Sequence, residues 1–253
     1  MADWISNQPR LHLHYHPGTS PQKFATNIRM VHENGLVFEE SYCYPRGGGQ
    51  PGDIGTIQTT SSKIAFSEVN ARDLIFHPVS DATNFAKGDE VIVSIDTSYR
   101  NALAQTHTAQ HVVSAMADEL WGASTVGNQL GPSESRIDFK FDNKDEFSVQ
   151  LIEDAVNDVL GTYRPVLVAN WNLDEIMSDD RVRNRTFVSR ILERLPEGVD
   201  TMRVVDISGI DICPCAGSHV DNTRLLPPIS VTRIKQKGAG KLRLYYQLKH
   251  DKK

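Results

Sequence analysis

At Asp96 the rhythm of the chain changes. Before it, apolar residues come in short runs broken by turn residues, with little helical spacing. Leu11–His16, Ile28–His32, Leu36–Phe38, Gly55–Thr59, Lys63–Glu68, Leu74–His77 and Glu90–Ile95 read as strands. Asn34-Gly35, Pro51-Gly52-Asp53 and Lys87-Gly88-Asp89 read as turns between them. Short strands with such frequent turns predict a small β-barrel over residues 1–95. After Asp96, residues 98–121 place Leu103, His107, His111, Val112, Met116 and Leu120 at helical spacing, and 145–162 form a second such stretch. Strands follow at Pro165–Trp171, Thr201–Ile207, Ser230–Lys235 and Lys241–Leu248, with a hairpin expected at Gly238-Ala239-Gly240. Leu242, Leu244, Tyr246 and Leu248 alternate with their neighbours, the period of a strand buried on one face. The expected fold is α+β, with a barrel domain at 1–95 and an α+β domain at 96–253.

Two pairs of residues in the second part point to a metal. His107 and His111 are four residues apart on the first expected helix, so both imidazoles lie on one face. About a hundred residues later, Cys215 and His219 repeat that spacing in Cys213-Pro214-Cys215-Ala216-Gly217-Ser218-His219. Thiolate and imidazole are favoured zinc ligands, and two such pairs complete a tetrahedral set. Each pair alone also fits ordinary surface or core residues. His12, His14 and His16 alternate along one strand face and read as solvent-facing, while His32, His77 and His250 have no partner pattern. The helix stretch His107-Thr108-Ala109-Gln110-His111 lacks the glutamate base of the HExxH peptidases, which argues against peptide hydrolysis.

A Gly-rich loop, Tyr44-Pro45-Arg46-Gly47-Gly48-Gly49-Gln50-Pro51-Gly52-Asp53, suits close backbone approach or a wide turn. It lacks the Gly-Lys-Ser/Thr ending of a nucleotide-binding P-loop. The net charge of −5 argues weakly against a nucleic-acid partner, but the charge is uneven. Residues 142–158 are acidic, whereas Arg233, Lys235, Lys237, Lys241 and Arg243 make the C-terminal strands basic, and Arg181, Arg183, Arg185, Arg190 and Arg194 form a further basic cluster. Such patches either contact phosphates or are plain solvated surface. No apolar run approaches the roughly 18 residues of a membrane span. The N-terminal stretch lacks the basic and apolar regions of a secretory signal, so a cytoplasmic protein is expected. Three cysteines, Cys43, Cys213 and Cys215, make no disulfide framework.

At these places the chain resembles the AlaX family, the free-standing relatives of the alanyl-tRNA synthetase editing domain. It is similar to the longer type, with an N-terminal barrel and a GGGQPxD-like loop, here Gly47–Asp53. The family's HTAxH helix matches His107–His111, and its Arg-Ile-Asp-Phe stretch matches Arg136–Phe139. Its second metal motif matches the run from Met202 to Asp211 followed by Cys215–Val220, with Ala216 and Ser218 where Gly and Thr are usual. The motifs fall in the family's order over residues 36–248.

The resemblance implies an alanyl/threonyl-tRNA synthetase-type editing domain that hydrolyses mischarged tRNA(Ala), carrying serine or glycine, with one zinc ion at His107, His111, Cys215 and His219. It implies substrate-pocket roles for Asn128 and Gln129, with Thr108 and Ser218 as further candidates. It implies that Arg46, Gly47, Gly48, Gly49, Gln50, Asp53 and Arg136 lie toward the acceptor end of tRNA. Zinc would either activate water or hold the substrate's α-amino group. Four protein ligands close a tetrahedral shell, so three firm ligands and one open position are expected, with the labile ligand undetermined and Cys213 a competitor. The alternatives are a zinc-containing tRNA-binding protein without turnover and an editor of another mischarged tRNA. A complete synthetase is disfavoured, because 253 residues divided in this way leave no room for an ATP-dependent activation domain.

Overall fold

The computed structural model describes residues 23–71, 74–183, 185–193, 198–238 and 240–249. The expected strand Leu11–His16 with its three histidines, Ala239 of the hairpin, and His250 lie outside the described residues. The chain packs as two compact units, one through Leu103 and one from Ala104 onward.

The first unit is antiparallel throughout. Its strands are β1 (Lys23–His32), β2 (Gly35–Phe38), β3 (Gly55–Gln58), β4 (Lys63–Phe66), β5 (Asn70–Ala71), β6 (Ile75–Pro78) and β7 (Glu90–Ile95). They form one seven-stranded sheet in the order β4-β3-β7-β1-β2-β6-β5. The alternation of Glu90–Ile95 buries Val91, Val93 and Ile95 in a core with Phe24, Ile28 and Ile57. Among the described residues the expected barrel is not a closed sheet: the strand order is linear, with an isolated bridge between Phe66 and Val79. Buried His77 is a core histidine, held by the Leu36 carbonyl and the Ser41 hydroxyl, and burial pulls its pKa down to about 3.

The Gly-rich loop is built from within this unit. Gly48 and Gly49 have φ of 59° and 84°, which only glycine adopts freely. Gly47 and Gln50 exchange backbone hydrogen bonds at 3.1 and 2.9 Å, and the Tyr44 hydroxyl donates to the Gly47 carbonyl. A side chain at Gly52 would sit 1.9 Å from the Val69 carbonyl oxygen. Asp53 closes the loop. It is fully buried and accepts from the Tyr44 N–H and from the Arg100 guanidinium.

The second unit is α+β. Its elements are helix α1 (Thr97–Trp121, whose first two turns belong to the first unit), β8 (Ser124–Gln129), β9 (Ser135–Lys140), α2 (Val149–Leu160), β10 (Val166–Asn172), α3 (Leu173–Ser178), α4 (Arg185–Leu192), β11 (Thr201–Ile207), β12 (Asp211–Pro214), β13 (Ile229–Gln236) and β14 (Lys241–Leu248). The Asp96 carboxylate accepts from the Tyr99 N–H and caps the start of α1. Gly122, with φ of 61°, ends that helix, its N–H bonding to the Asp118 carbonyl. One antiparallel sheet has the order β13-β14-β9-β8 and another β10-β11-β12. Val112, Val113, Ile152 and Val156 of the helices share a core with Ile137, Phe139, Leu244 and Tyr246 of the four-stranded sheet. Asn157 ties α2 to β13 by bonding both backbone groups of Ile229. No helix among the described residues is long and apolar enough to cross a membrane.

Candidate metal centre

Helix α1 has no glycine or proline, so it holds His107 and His111 rigidly one turn apart, both buried. The other two residues follow β12, whose pairing with β11 carries the chain to the same place. Cys215 is pinned at both backbone groups by Arg203: its N–H donates to the Arg203 carbonyl at 3.1 Å, and its carbonyl accepts from the guanidinium at 2.5 Å. The donor atoms of His107, His111, Cys215 and His219 all lie within 4.8 Å of one another. Cys215 Sγ stands 3.5 Å from His107 Nε2 and 3.3 Å from His219 Nε2. Bond lengths of about 2.3 Å to sulfur and 2.0 Å to nitrogen, at a tetrahedral angle, require an S···N edge of about 3.5 Å. The donor set and its spacing therefore fit a zinc ion.

Hydrogen bonds behind the ligands present their Nε2 atoms inward. His111 Nδ1 donates to Asp211 Oδ2 at 2.7 Å. Asp211 is buried and also accepts from Arg183 Nε at 2.6 Å and Nη2 at 3.1 Å. The Thr108 hydroxyl donates to the Ala104 carbonyl, so it accepts from His219 Nδ1 at 3.2 Å and from the Val220 N–H at 3.1 Å. Each of these two imidazoles thus keeps its Nε2 lone pair for a metal.

The electrostatics agree with a ligand set. Burial alone would raise the Cys215 thiol, but its interactions with the imidazoles packed around it outweigh burial and hold it well below its ordinary value. Burial lowers His219 to about 3, leaving it neutral. Burial also disfavours the charged form of His111, but its bonds to Asp211 and Cys215 prevail and raise it to about 9. The metal-free protein therefore carries a proton on His111 that a metal must displace. Zinc affinity should rise with pH up to about 9, with about one proton released from His111 per zinc at neutral pH. Calorimetry in buffers of different ionisation enthalpy measures this, and a proton count near zero would contradict it. Because the folded pKa is raised, the His111 pair stabilises the metal-free fold fully below pH 6.5 and ceases to as pH passes about 9.

The other expected site residues divide into those near this cluster and those held elsewhere. Cys213 stands outside the convergent set, and burial, with Asp211 nearby, raises its thiol, so it keeps its proton and is a poor ligand. Thr108 is fully buried with its hydroxyl engaged in positioning His219. Ser218 is buried beside His219. Asn128 is half-buried and donates to Gln110 Oε1 at 3.3 Å, while Gln129 is exposed and accepts from Arg136. Arg136 lies on β9 and pairs with Asp138 at 3.2 Å. In the loop, Arg46 is exposed and pairs with Glu68, whereas Gln50 and Asp53 are buried. Asp53 has both oxygens engaged by the Tyr44 N–H and the Arg100 guanidinium, so it shapes the loop. Three contributors went unassigned in the sequence: Asp211, Arg183 and Gln110. Asp211 closes the Val-rich run and Arg183 lies in the Arg-rich segment, but only the fold joins them to His111.

Comparison with known proteins fits this geometry. Residues 202–245 match the threonyl and alanyl tRNA synthetase second additional domain, and residues 18–99 match the class II (A) tRNA synthetases. The chain is 28% identical over 231 residues to the alanyl-tRNA editing protein AlaX-M of Methanosarcina barkeri, covering 88% of this chain and 93% of that protein. It is 27% identical to AlaX-M of Saccharolobus solfataricus, covering 90% and 94%. It is also 28% identical to the alanine–tRNA ligase of Sulfurisphaera tokodaii, covering 97% of this chain but 27% of the ligase. The chain is thus similar to AlaX proteins along about nine-tenths of its length, with its motifs in the order of that family.

Proposed function

We propose that this protein is a zinc-dependent deacylase that removes the wrong amino acid, serine or glycine, from tRNA(Ala). The observation that carries the reading is the convergence of His107, His111, Cys215 and His219 in one buried cluster. The names of the full-length relatives support tRNA(Ala) as the RNA. Zinc bound there supplies a Lewis acid for the ester carbonyl or its attacking water. The chain's own residues do the rest. Asp211 and Thr108 fix the imidazoles, so no reorganisation is needed as charge develops on the ester.

Selection of serine over alanine needs a polar partner for the seryl hydroxyl. We assign that role to Asn128, held by Gln110 next to the ligand His111. Gln110 in turn donates to Ser114 Oγ at 2.8 Å, and Thr125 donates to the same oxygen at 2.9 Å, so the amide is fixed from behind. Glycine enters by size. The test is release of labelled serine, glycine and alanine from tRNA(Ala), with and without a chelator. Serine and glycine should be released faster than alanine, and chelation should stop all three. Undiminished release after the metal is removed would overturn the zinc chemistry. One observation favours a second reading, a structural zinc in a tRNA-binding protein: four protein ligands can close the shell. Zinc-replete protein that binds tRNA(Ala) and releases nothing would select it.

A further inference from the structure

The four-stranded sheet of the second unit buries one face and leaves the other without a covering element among the described residues. Strand register sets the side chains of that outer face in ranks. Arg233, Tyr245 and Arg136 are paired neighbours across three strands. Lys235, Arg243 and Asp138 form the next rank, and Lys241 with Lys140 the one after. Ranks stand about 7 Å apart along the strands and neighbours about 4.8 Å apart across them. Lys237, at the hairpin end, extends the grid beside Lys241, to which its N–H is bonded. Seven cations thus share one face with two carboxylates, Asp138 and Glu134, in a chain whose net charge is −5.

The carboxylates serve to position some of these cations. Asp138 takes Arg243 at 2.5 Å and Arg136 at 3.2 Å. Arg233 pairs with Glu134 at 3.1 Å and lies over the Tyr245 ring, 3.8 Å from its centroid. Lys235, Lys237, Lys241 and Lys140 are exposed and make no ion pair among the described residues. The acidic residues Glu153, Asp154 and Asp158 sit on α2, which packs on the sheet's opposite face. Charge is therefore separated across the sheet, a pattern that orients a polyanion and does not merely attract one.

We infer that this open face docks the phosphate backbone of the RNA, independently of its sequence. The inference rests on the tRNA reading above but needs no ester chemistry. A rank of lysines backed by fixed arginines suits phosphate contacts, which position a nucleic acid without reading its bases.

The experiment measures binding of deacylated tRNA(Ala) transcript to the zinc-loaded full chain across a salt series. The triple variant Lys235→Glu, Lys237→Glu, Lys241→Glu should bind at least about tenfold more weakly at 0.1 M salt. Its log–log salt slope should be shallower by about two units, roughly 0.7–0.9 for each phosphate no longer neutralised. The corresponding glutamine triple should fall between it and the native protein. A charge-matched control, Lys23→Glu, Lys63→Glu, Lys87→Glu, changes exposed lysines of the first unit and should bind as the native chain does. An unchanged slope in the sheet variant, an equal weakening in the control, or no binding by the native protein would each overturn the docking face. Ester release from mischarged tRNA, measured separately, tests the deacylase reading.

Discussion

Alanine at position 107 should remove the metal and the deacylase activity together. His107 is 2% exposed, and its Nε2 lies 3.5 Å from the Cys215 sulfur, so no water can readily take its place without the loop after β12 moving. Zinc held by four protein ligands is worth about 10–16 kcal/mol. One ligand in four then carries about 2.5–4 kcal/mol, or roughly 10²–10³-fold in affinity. Alanine favours the helix, so α1 should keep its shape and the loss should fall on the metal. Dialysis against a weak chelator followed by metal analysis reads the first part, and release of labelled serine from tRNA(Ala) reads the second. Cys213→Ser, outside the convergent set of donor atoms, should retain its zinc. Native zinc affinity in the alanine variant would show that His107 is not a ligand.

How much of this is visible in the chain depends on the scale of the signal. Glu90–Ile95 and Lys241–Leu248 fall where the sequence puts them, because each alternates and alternation is set by burial on one face. Helix α1 is legible for the same reason at a period of 3.6, and Asp96 and Gly122 mark its ends. The missed elements carry weaker patterns. β12 is four buried residues ending in Pro214, with no alternation, and β8 is polar with Gly127 at its centre. β9 does alternate Ser135, Ile137 and Phe139 inward, but the run is short and its first inward residue is polar. The strand order of the first sheet is a matter of which distant strands pair, and local periodicity carries no such information. The ligands are legible because zinc demands particular side chains at particular spacings. The groups behind them are not, since any of several carboxylates and arginines could serve. Arg183 and Asp211 are 28 positions apart, and Asp211 and His111 are 100 apart.

Asparagine in place of Asp211 should therefore weaken two properties at once, and by separable amounts. The native carboxylate accepts from His111 on one side and from Arg183 on the other, entirely out of solvent. An asparagine offers one acceptor oxygen, so its amide N–H₂ must face one of two donors. Turned toward His111, it repels Nδ1–H and loosens the ring, and outer hydrogen-bond partners of this kind typically contribute 10–100-fold to metal affinity. Turned toward Arg183, it leaves a largely buried guanidinium without a counter-charge, which destabilises a fold by about 3–5 kcal/mol. The metal-free variant should thus unfold at clearly lower denaturant, while the zinc-loaded variant exchanges its metal faster. Pairing the change with Arg183→Met removes the stranded charge, so the double variant should recover much of the stability and none of the zinc affinity. Recovery of both in the double variant would mean that Asp211 supports the fold alone and has no part in aiming His111 at the metal.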